Sequence, residues 1–426
     1  MCGRLIRENK ISARDFLKEL SLLLLSTLPV MVGSTISPGL KTIAEEFSLV
    51  PNAAFLSKMA LAIPAFAFAI SSLLIGYLLD KIGRKPVLIS SLLIYIIAGS
   101  IGFYVHNLYV ILVGRAFLGV AAAGVMNTTI TLIADYYQGA KRDRVLGFQV
   151  AFGALGAVAY TLIGGLLSDV DWNYPFLVFF LPAILVPTTI LLLPEPNRVE
   201  LEQNDAICEQ IEIENENSDS IAELIGKNWV FVICYFLIFA MMFIFYIGTT
   251  QISFYIKEDI DSNISNLKIS IAIALVMIAA AIMGALYRFV KKWLNFYTIF
   301  IMGFSLLGVG FILISFAGGL NSYNLILVAG VVGGLGTGLI LPNFNLYLCN
   351  NTTSKNRGKI VSGYNAMWYI GEALSPIVFE PIIVGTSYST AFLIGGIVYF
   401  CLLVIPLTLL IVHIVNKKKK GQEIVA

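Results

Sequence analysis

Residues 76–88 read Gly76-Tyr-Leu-Leu-Asp80-Lys81-Ile-Gly83-Arg84-Lys85-Pro86-Val-Leu88, and a long apolar run lies on either side. The first run ends at Leu79 and the second begins at Pro86. Four charges and two glycines in so short a stretch leave room only for a chain reversal. A reversal between two runs of spanning length belongs at a membrane face, and its three cations predict the cytoplasmic side.

The composition agrees. Of 426 residues, 58% are hydrophobic and 13% charged, against about 25% charge in a soluble domain. The chain is therefore expected to be an integral membrane protein. A spanning helix takes about 20 apolar residues. Twelve such runs can be marked, at 20–41, 54–79, 86–105, 108–134, 145–167, 174–193, 228–253, 267–288, 296–316, 322–348, 359–384 and 389–413. The first is too long for a signal-peptide core and lacks a small-residue cleavage site, so it is expected to remain as the first span. Of the 28 lysines and arginines, all but Lys41, Lys58, Arg115, Lys257 and Lys268 fall in segments that this topology places in the cytoplasm. That bias predicts a multi-pass inner-membrane protein with both termini inside.

The longest connection, Pro194 to Lys227, carries acids from Glu195 to Glu223 with Arg198 the lone base among them. It has no sustained apolar period and reads as a flexible cytoplasmic linker. The expected organisation is a six-helix bundle over 1–193, the acidic linker over 194–227, a second six-helix bundle over 228–416 and a basic tail over 417–426. Spacings repeat across the linker. Gly76, Asp80 and Arg84 are spaced as Gly284, Arg288 and Lys292, and Lys141 and Gly147 as Arg357 and Gly363. A duplicated six-helix unit predicts an all-α fold of two pseudo-symmetric bundles with a site between them at mid-membrane.

Several function classes find no support. The five cysteines have no metal-binding spacing, and the two histidines fall near helix ends. The glycines of Gly333-Gly334-x-Gly336-x-Gly338, followed by Pro342-Asn343, lie inside a span and lack the Gly-Lys-Ser/Thr of a phosphate loop, so they read as close helix packing and a bend. No nucleophile–base pair is found in the spans. An enzyme, a cofactor, a metal site and a nucleic-acid partner are not expected, and the chain is expected to act as a monomer.

The pattern Gly-x-x-x-Asp-Lys-x-Gly-Arg-Lys resembles the loop between helices 2 and 3 of the major facilitator superfamily, and the duplication extends that resemblance over the whole chain. The resemblance implies a conformational latch built from Gly76, Asp80, Lys81, Gly83, Arg84, Lys85 and Asp135. In it Asp80 meets the start of helix 11, near Gly358, when the cytoplasmic side is shut, and Arg84 pairs with Asp135 at the end of helix 4. Gly76 is expected to allow close approach of a neighbouring helix.

Three further features bear on a site. Arg115 lies about seven residues inside helix 4, roughly 10 Å deep, and an intramembrane arginine points to function. Arg115-x-x-x-Gly119 with Gly124 resembles the helix 4 motif of proton-coupled members, which implies a role in proton coupling; the competing reading is a structural arginine bound to carbonyls. In helix 11, Asn365, Trp368, Glu372 and Ser375 or Pro376 share one face. Glu372 is near mid-membrane, where a carboxyl is expensive enough to need a reason and can carry a proton; the competing reading is a neutral glutamate that only packs helices. Trp368 can stack on an aromatic or cationic substrate, and Asn127, Asn343 and Asn365 are placed with it in the substrate cavity. Helix 5 departs from the antiporter pattern Gly-Pro-x-x-Gly-Gly: it has Tyr160-Thr161-Leu-Ile-Gly164-Gly165, with the glycine pair kept and the Gly-Pro absent.

The resemblance, with the Ile36-Ser37-Pro38-Gly39 text of helix 1, is to the 12-helix drug:proton antiporter branch. It implies a secondary active transporter exporting a small organic compound by alternating access, with protons, the substrate and the bilayer as its partners. Proton-coupled uptake of a metabolite, and a non-transporting sensor or scaffold, are the alternatives.

Overall fold

The computed structural model describes residues 13–196, 229–350, 352 and 354–423. The linker expected over 194–227 lies, from residue 197 on, outside them, and so do the side chains of the basic tail. Among the described residues, twelve helices are long and apolar enough to cross a bilayer. We label these spans in chain order: α1 Arg14–Glu46, α2 Ala53–Ile82, α3 Arg84–Tyr104, α4 Leu108–Tyr136, α5 Gly139–Ser168, α6 Tyr174–Leu192, α7 Phe231–Ile260, α8 Asn266–Trp293, α9 Phe296–Gly319, α10 Tyr323–Asn350, α11 Ser354–Gly385 and α12 Tyr388–Val412. Each overlaps one of the twelve apolar runs, because a helix bonds its whole backbone internally and hydrocarbon offers no other partner.

Polar residues in the loops start the helices. Asn107 accepts from the Tyr109 and Val110 amides, Asn295 from Thr298 and Ser387 from Thr390, which satisfies amide groups that the first turn leaves free. Prolines set the interruptions. Span α1 is broken ahead of Pro29 and again by a 3₁₀ turn at Ser37–Gly39 around Pro38. Span α6 opens as a 3₁₀ stretch, Tyr174–Ile184, holding Pro182. One residue, Gly83, separates α2 from α3, and its φ of 116° is a conformation only glycine takes without strain.

The spans alternate in direction. The end of the molecule with the α2–α3, α4–α5, α8–α9 and α10–α11 turns is called the near end, and the opposite one the far end. Apolar packing falls into two main clusters. One runs from Leu22 to Leu193 and takes in Tyr246 and Phe254 of α7; the other runs from Phe231 to Leu402. The glycines of α10 pack closely: an added Cβ would come within 2.3 Å of the Val276 carbonyl at Gly334, 2.6 Å of the Gly303 carbonyl at Gly336 and 2.4 Å of the Ala280 carbonyl at Gly338.

Candidate functional site

Between the two apolar clusters lies a cavity of about 320 Å³. Its walls come from α1 (Val30, Gly33, Ser34), α2 (Leu61, Pro64, Phe68), α4 (Gly119, Ala122, Met126), α7 (Phe245, Tyr246, Thr249), α8 (Ile273, Met277) and α11 (Trp368, Tyr369, Glu372). Glu372 is the one charged side chain among the described residues lining it. Four residues separate it from Trp368, one helical turn, so the Trp368 indole N–H donates to the Glu372 carboxylate at 2.8 Å. The Phe68 ring of α2 packs directly on the Tyr369 ring of α11, their centroids 4.2 Å apart. The site is one acid in an aromatic and thioether lining.

Arg115 sits beside this cavity rather than in its wall. It is 1% exposed. Its Nε donates to the Ala60 carbonyl of α2 at 2.7 Å, and its Nη2 donates to the Val32 carbonyl of α1. Nη1 is buried with no hydrogen-bond partner among the described residues, and the guanidinium lies 5.6 Å from the Phe179 ring centroid of α6. Arg115 thus ties α4 to α1, α2 and α6, and it makes no direct bond to Glu372. The Tyr246 hydroxyl of α7 is within electrostatic reach of both.

The asparagines expected in the cavity are elsewhere. Asn127 donates to the Ser72 carbonyl at 3.1 Å and to its hydroxyl at 2.9 Å, joining α4 to α2. Asn343 is fully buried, accepting from the Tyr287 hydroxyl at 2.8 Å and donating to the Phe296 carbonyl at 3.0 Å. Both are spent on helix–helix bonds, a common use of amides between spans. Asn365 is exposed and lies one turn nearer the near end than Trp368.

At the turn between α2 and α3, Arg84 Nε lies 3.2 Å from Asp135 Oδ2, and Arg84 Nη1 donates to the Leu79 carbonyl at 3.1 Å. This ion pair is internal to the first six spans, so by itself it does not report which end is shut. The Asp80 side chain and those near Gly358 lie outside the described residues. The close approach expected at Gly76 is not made among the described residues, where a Cβ there would meet nothing within 4 Å. Among the described residues, most hydrogen bonds between the first six spans and the last six lie at the far end.

Three seams at the far end hold most of those bonds among the described residues, with Thr42 of α1 also bonded to Asn266 of α8. Between α1 and α7, Lys41 pairs with Glu258 at 2.5 Å, Lys257 donates to the Thr42 hydroxyl at 3.1 Å, and Ser37 donates to the Thr249 carbonyl at 2.7 Å. Between α5 and α8, both oxygens of Asp169 accept from the Asn266 and Leu267 amides, at 2.5 and 3.0 Å, an acid at a helix N-terminus. Gly164 and Gly165 sit just below this seam. An added Cβ would come 1.9 Å from the Thr35 carbonyl of α1 at Gly164, and 2.5 Å from Ser270 of α8 at Gly165. Between α2 and α11, Lys58 pairs with Glu380 at 2.6 Å.

The sequence profile of the Major Facilitator Superfamily matches residues 22–317 and 296–425, nearly the whole of the twelve-span region. The chain belongs to the Major Facilitator Superfamily. Among curated relatives, the Bacillibactin exporter of Bacillus subtilis (strain 168) is 26% identical, covering 82% of this chain and 84% of that one. The Tetracycline resistance protein, class H, of Pasteurella multocida is 25% identical, covering 91% and 95%. Among solved structures, the nucleoside transporter NupG superposes with a TM-score of 0.70 at 16% identity, over 92% of this chain and 99% of that one. This member of the superfamily is a multi-pass membrane transporter of the twelve-helix type.

Two contacts of this Major Facilitator Superfamily protein escape a reading of the sequence. Glu195, the first acid of the expected linker, accepts from the Arg84 and Lys85 amides at 2.7 Å each, capping α3. Its place right after a spanning run was the available signal. Lys58 and Glu380 are 322 positions apart, and nothing along the chain links them.

Proposed function

We propose that the protein is a proton-coupled exporter of small aromatic compounds, neutral or singly cationic, working by alternating access between the near end in the cytoplasm and the far end outside. The observation that carries this reading is the cavity lining: Glu372 without a basic neighbour in the wall, framed by Trp368, Tyr369, Tyr246, Phe245 and Phe68. A carboxylate among aromatic faces favours a cation with apolar bulk. Proton and cation then compete for one carboxylate, and that competition is the elementary basis of exchange. The seams at the far end and the exposure of Asn365 below the cavity support a conformation shut outside and accessible from the cytoplasm. The positive-inside bias supports the orientation. The curated relatives named above, an exporter and a resistance protein, support export over uptake. Asp80 and the Arg84–Asp135 pair fit a latch on the near end, and Arg115 fits a clamp that holds the α1 and α2 walls in register for coupling.

The test uses energised inverted vesicles, a cationic aromatic dye such as ethidium as the probe, and a pH indicator. Dye accumulation should release protons from wild-type vesicles. Glu372→Gln should abolish gradient-driven accumulation and weaken dye binding to what the aromatic walls alone provide, because the amide keeps the shape of the neutral acid but carries no charge for proton or cation to share. Full uphill transport by Glu372→Gln overturns the assignment.

A further inference from the structure

We propose that Lys58, Glu380 and Gln251 form the lock of the far end: an ion pair that parts each time the cavity opens on that side. This rests on the transport reading above. Lys58 is on α2, in the first six spans; Glu380 on α11 and Gln251 on α7 belong to the last six. Lys58 Nζ lies 2.6 Å from Glu380 Oε2, and Gln251 Nε2 donates to the same oxygen at 3.3 Å. The Lys58 and Glu380 side chains are 1% and 12% exposed. The ammonium is also 4.4 Å from the Phe254 ring centroid. The neighbouring charges are already matched, with Lys41 on Glu258 at 2.5 Å, which leaves Glu380 to Lys58.

Position makes this a lock rather than a brace. Glu380 is eight residues beyond Glu372 along α11, about 12 Å closer to the far face by helical rise. Lys58 is one turn beyond Leu61, a cavity wall residue. The pair therefore lies directly over the cavity on the far side, and no path between α2 and α11 can form while it holds. Gln251 depends on the same carboxylate, since its own Oε1 is buried without a partner among the described residues.

The chemistry explains why charges stand here. An apolar pair of similar volume seals a buried contact as firmly or more so, but gains nothing from water when it opens. A lysine and a glutamate lose their mutual attraction on opening and recover full hydration. The two states are thereby kept close in free energy, as a gate that must work in both directions requires.

The idea predicts a pattern of signs. In a full-length chain with Cys2, Cys208, Cys234, Cys349 and Cys401 replaced by alanine, spin labels are placed through Leu49→Cys and Thr386→Cys. Both sites are exposed at the far end, one on each half. The label–label distance distribution is read by double electron–electron resonance in nanodiscs, without substrate or gradient. Glu380→Gln strands the Lys58 ammonium in the shut state only, so the open-to-shut ratio should rise about a hundredfold. The double variant Lys58→Met with Glu380→Leu removes both charges and should stay as shut as the parent or more so, with dye export slowed. The swap Lys58→Glu with Glu380→Lys should return the ratio towards that of the parent. A Glu380→Gln distribution matching the parent overturns the lock, and so does an apolar double variant that opens like the single one. If Glu380→Gln fails to fold, the apolar and swapped variants still decide. A protein that gates as described but exports no dye refutes only the transport reading, whereas one that exports dye with distances indifferent to these variants refutes only the lock.

Discussion

Gly164 and Gly165 are adjacent, yet alanine at the two positions should fail in different ways. At Gly165 the added Cβ would lie 2.5 Å from Ser270 and 2.7 Å from the Asn266 carbonyl, both in the opposite half. Ordinary van der Waals contact needs about 1 Å more. Overpacking of this kind costs about 1–3 kcal/mol, but here the molecule can relieve it by parting the α5–α8 seam. The cost then falls on the far-shut state alone, and 1–3 kcal/mol corresponds to a roughly 5- to 150-fold shift towards the open one. At Gly164 the Cβ would lie 1.9 Å from the Thr35 carbonyl of α1, inside the same half. Opening the gate does not relieve that clash, so it should appear as lost stability with the gating equilibrium little changed. The assay pairs the Leu49–Thr386 label distance with thermal unfolding in detergent. Gly165→Ala should lengthen the distance at near-parental midpoint, and Gly164→Ala should lower the midpoint by several degrees. Equal behaviour of the two variants, with unchanged distances in both, refutes a state-dependent seam.

Arg115→Lys keeps the charge but loses the fork that reaches two carbonyls. Leaving the Ala60 or Val32 carbonyl unpaired costs about 1–3 kcal/mol, so the unfolding midpoint should fall and proton-to-dye coupling should weaken; an unchanged midpoint with coupling intact removes the clamp assignment. Reporter enzymes fused within residues 197–227 and after Lys420 should both report a cytoplasmic location, and an external signal from either breaks the proposed orientation.

Hydropathy located all twelve spans because a bilayer imposes one strong, one-dimensional constraint: length in apolar residues. Depth along a helix is legible in the same way, so Glu372 was found at the level of the cavity. Azimuth is not. Asn127 and Asn343 have the right depth and the right chemistry for a cavity, yet they turn towards Ser72, Tyr287 and Phe296. A reading of one helix at a time cannot tell which neighbour an amide will meet. Lys58 read as a base at the edge of a span, and only the approach of α2 to α11 shows it as half of an ion pair. The Arg84–Asp135 pair came from the resemblance of the loop between helices 2 and 3 and not from hydropathy or periodicity.

The far-end seams differ in how much water they meet, and this orders their response to ionic strength. Lys41 and Glu258 are 21% and 37% exposed, whereas Lys58 and Glu380 are 1% and 12% exposed. Screening reaches the first pair and largely spares the second, because the Debye length shrinks from about 8 Å at physiological salt to about 3 Å at 1 M. Rising salt should therefore loosen the rim first and leave the inner pair holding, so that the seal yields from the outside inward. The salinity of the medium facing that end then sets the stiffness of the rim without touching the cavity beneath.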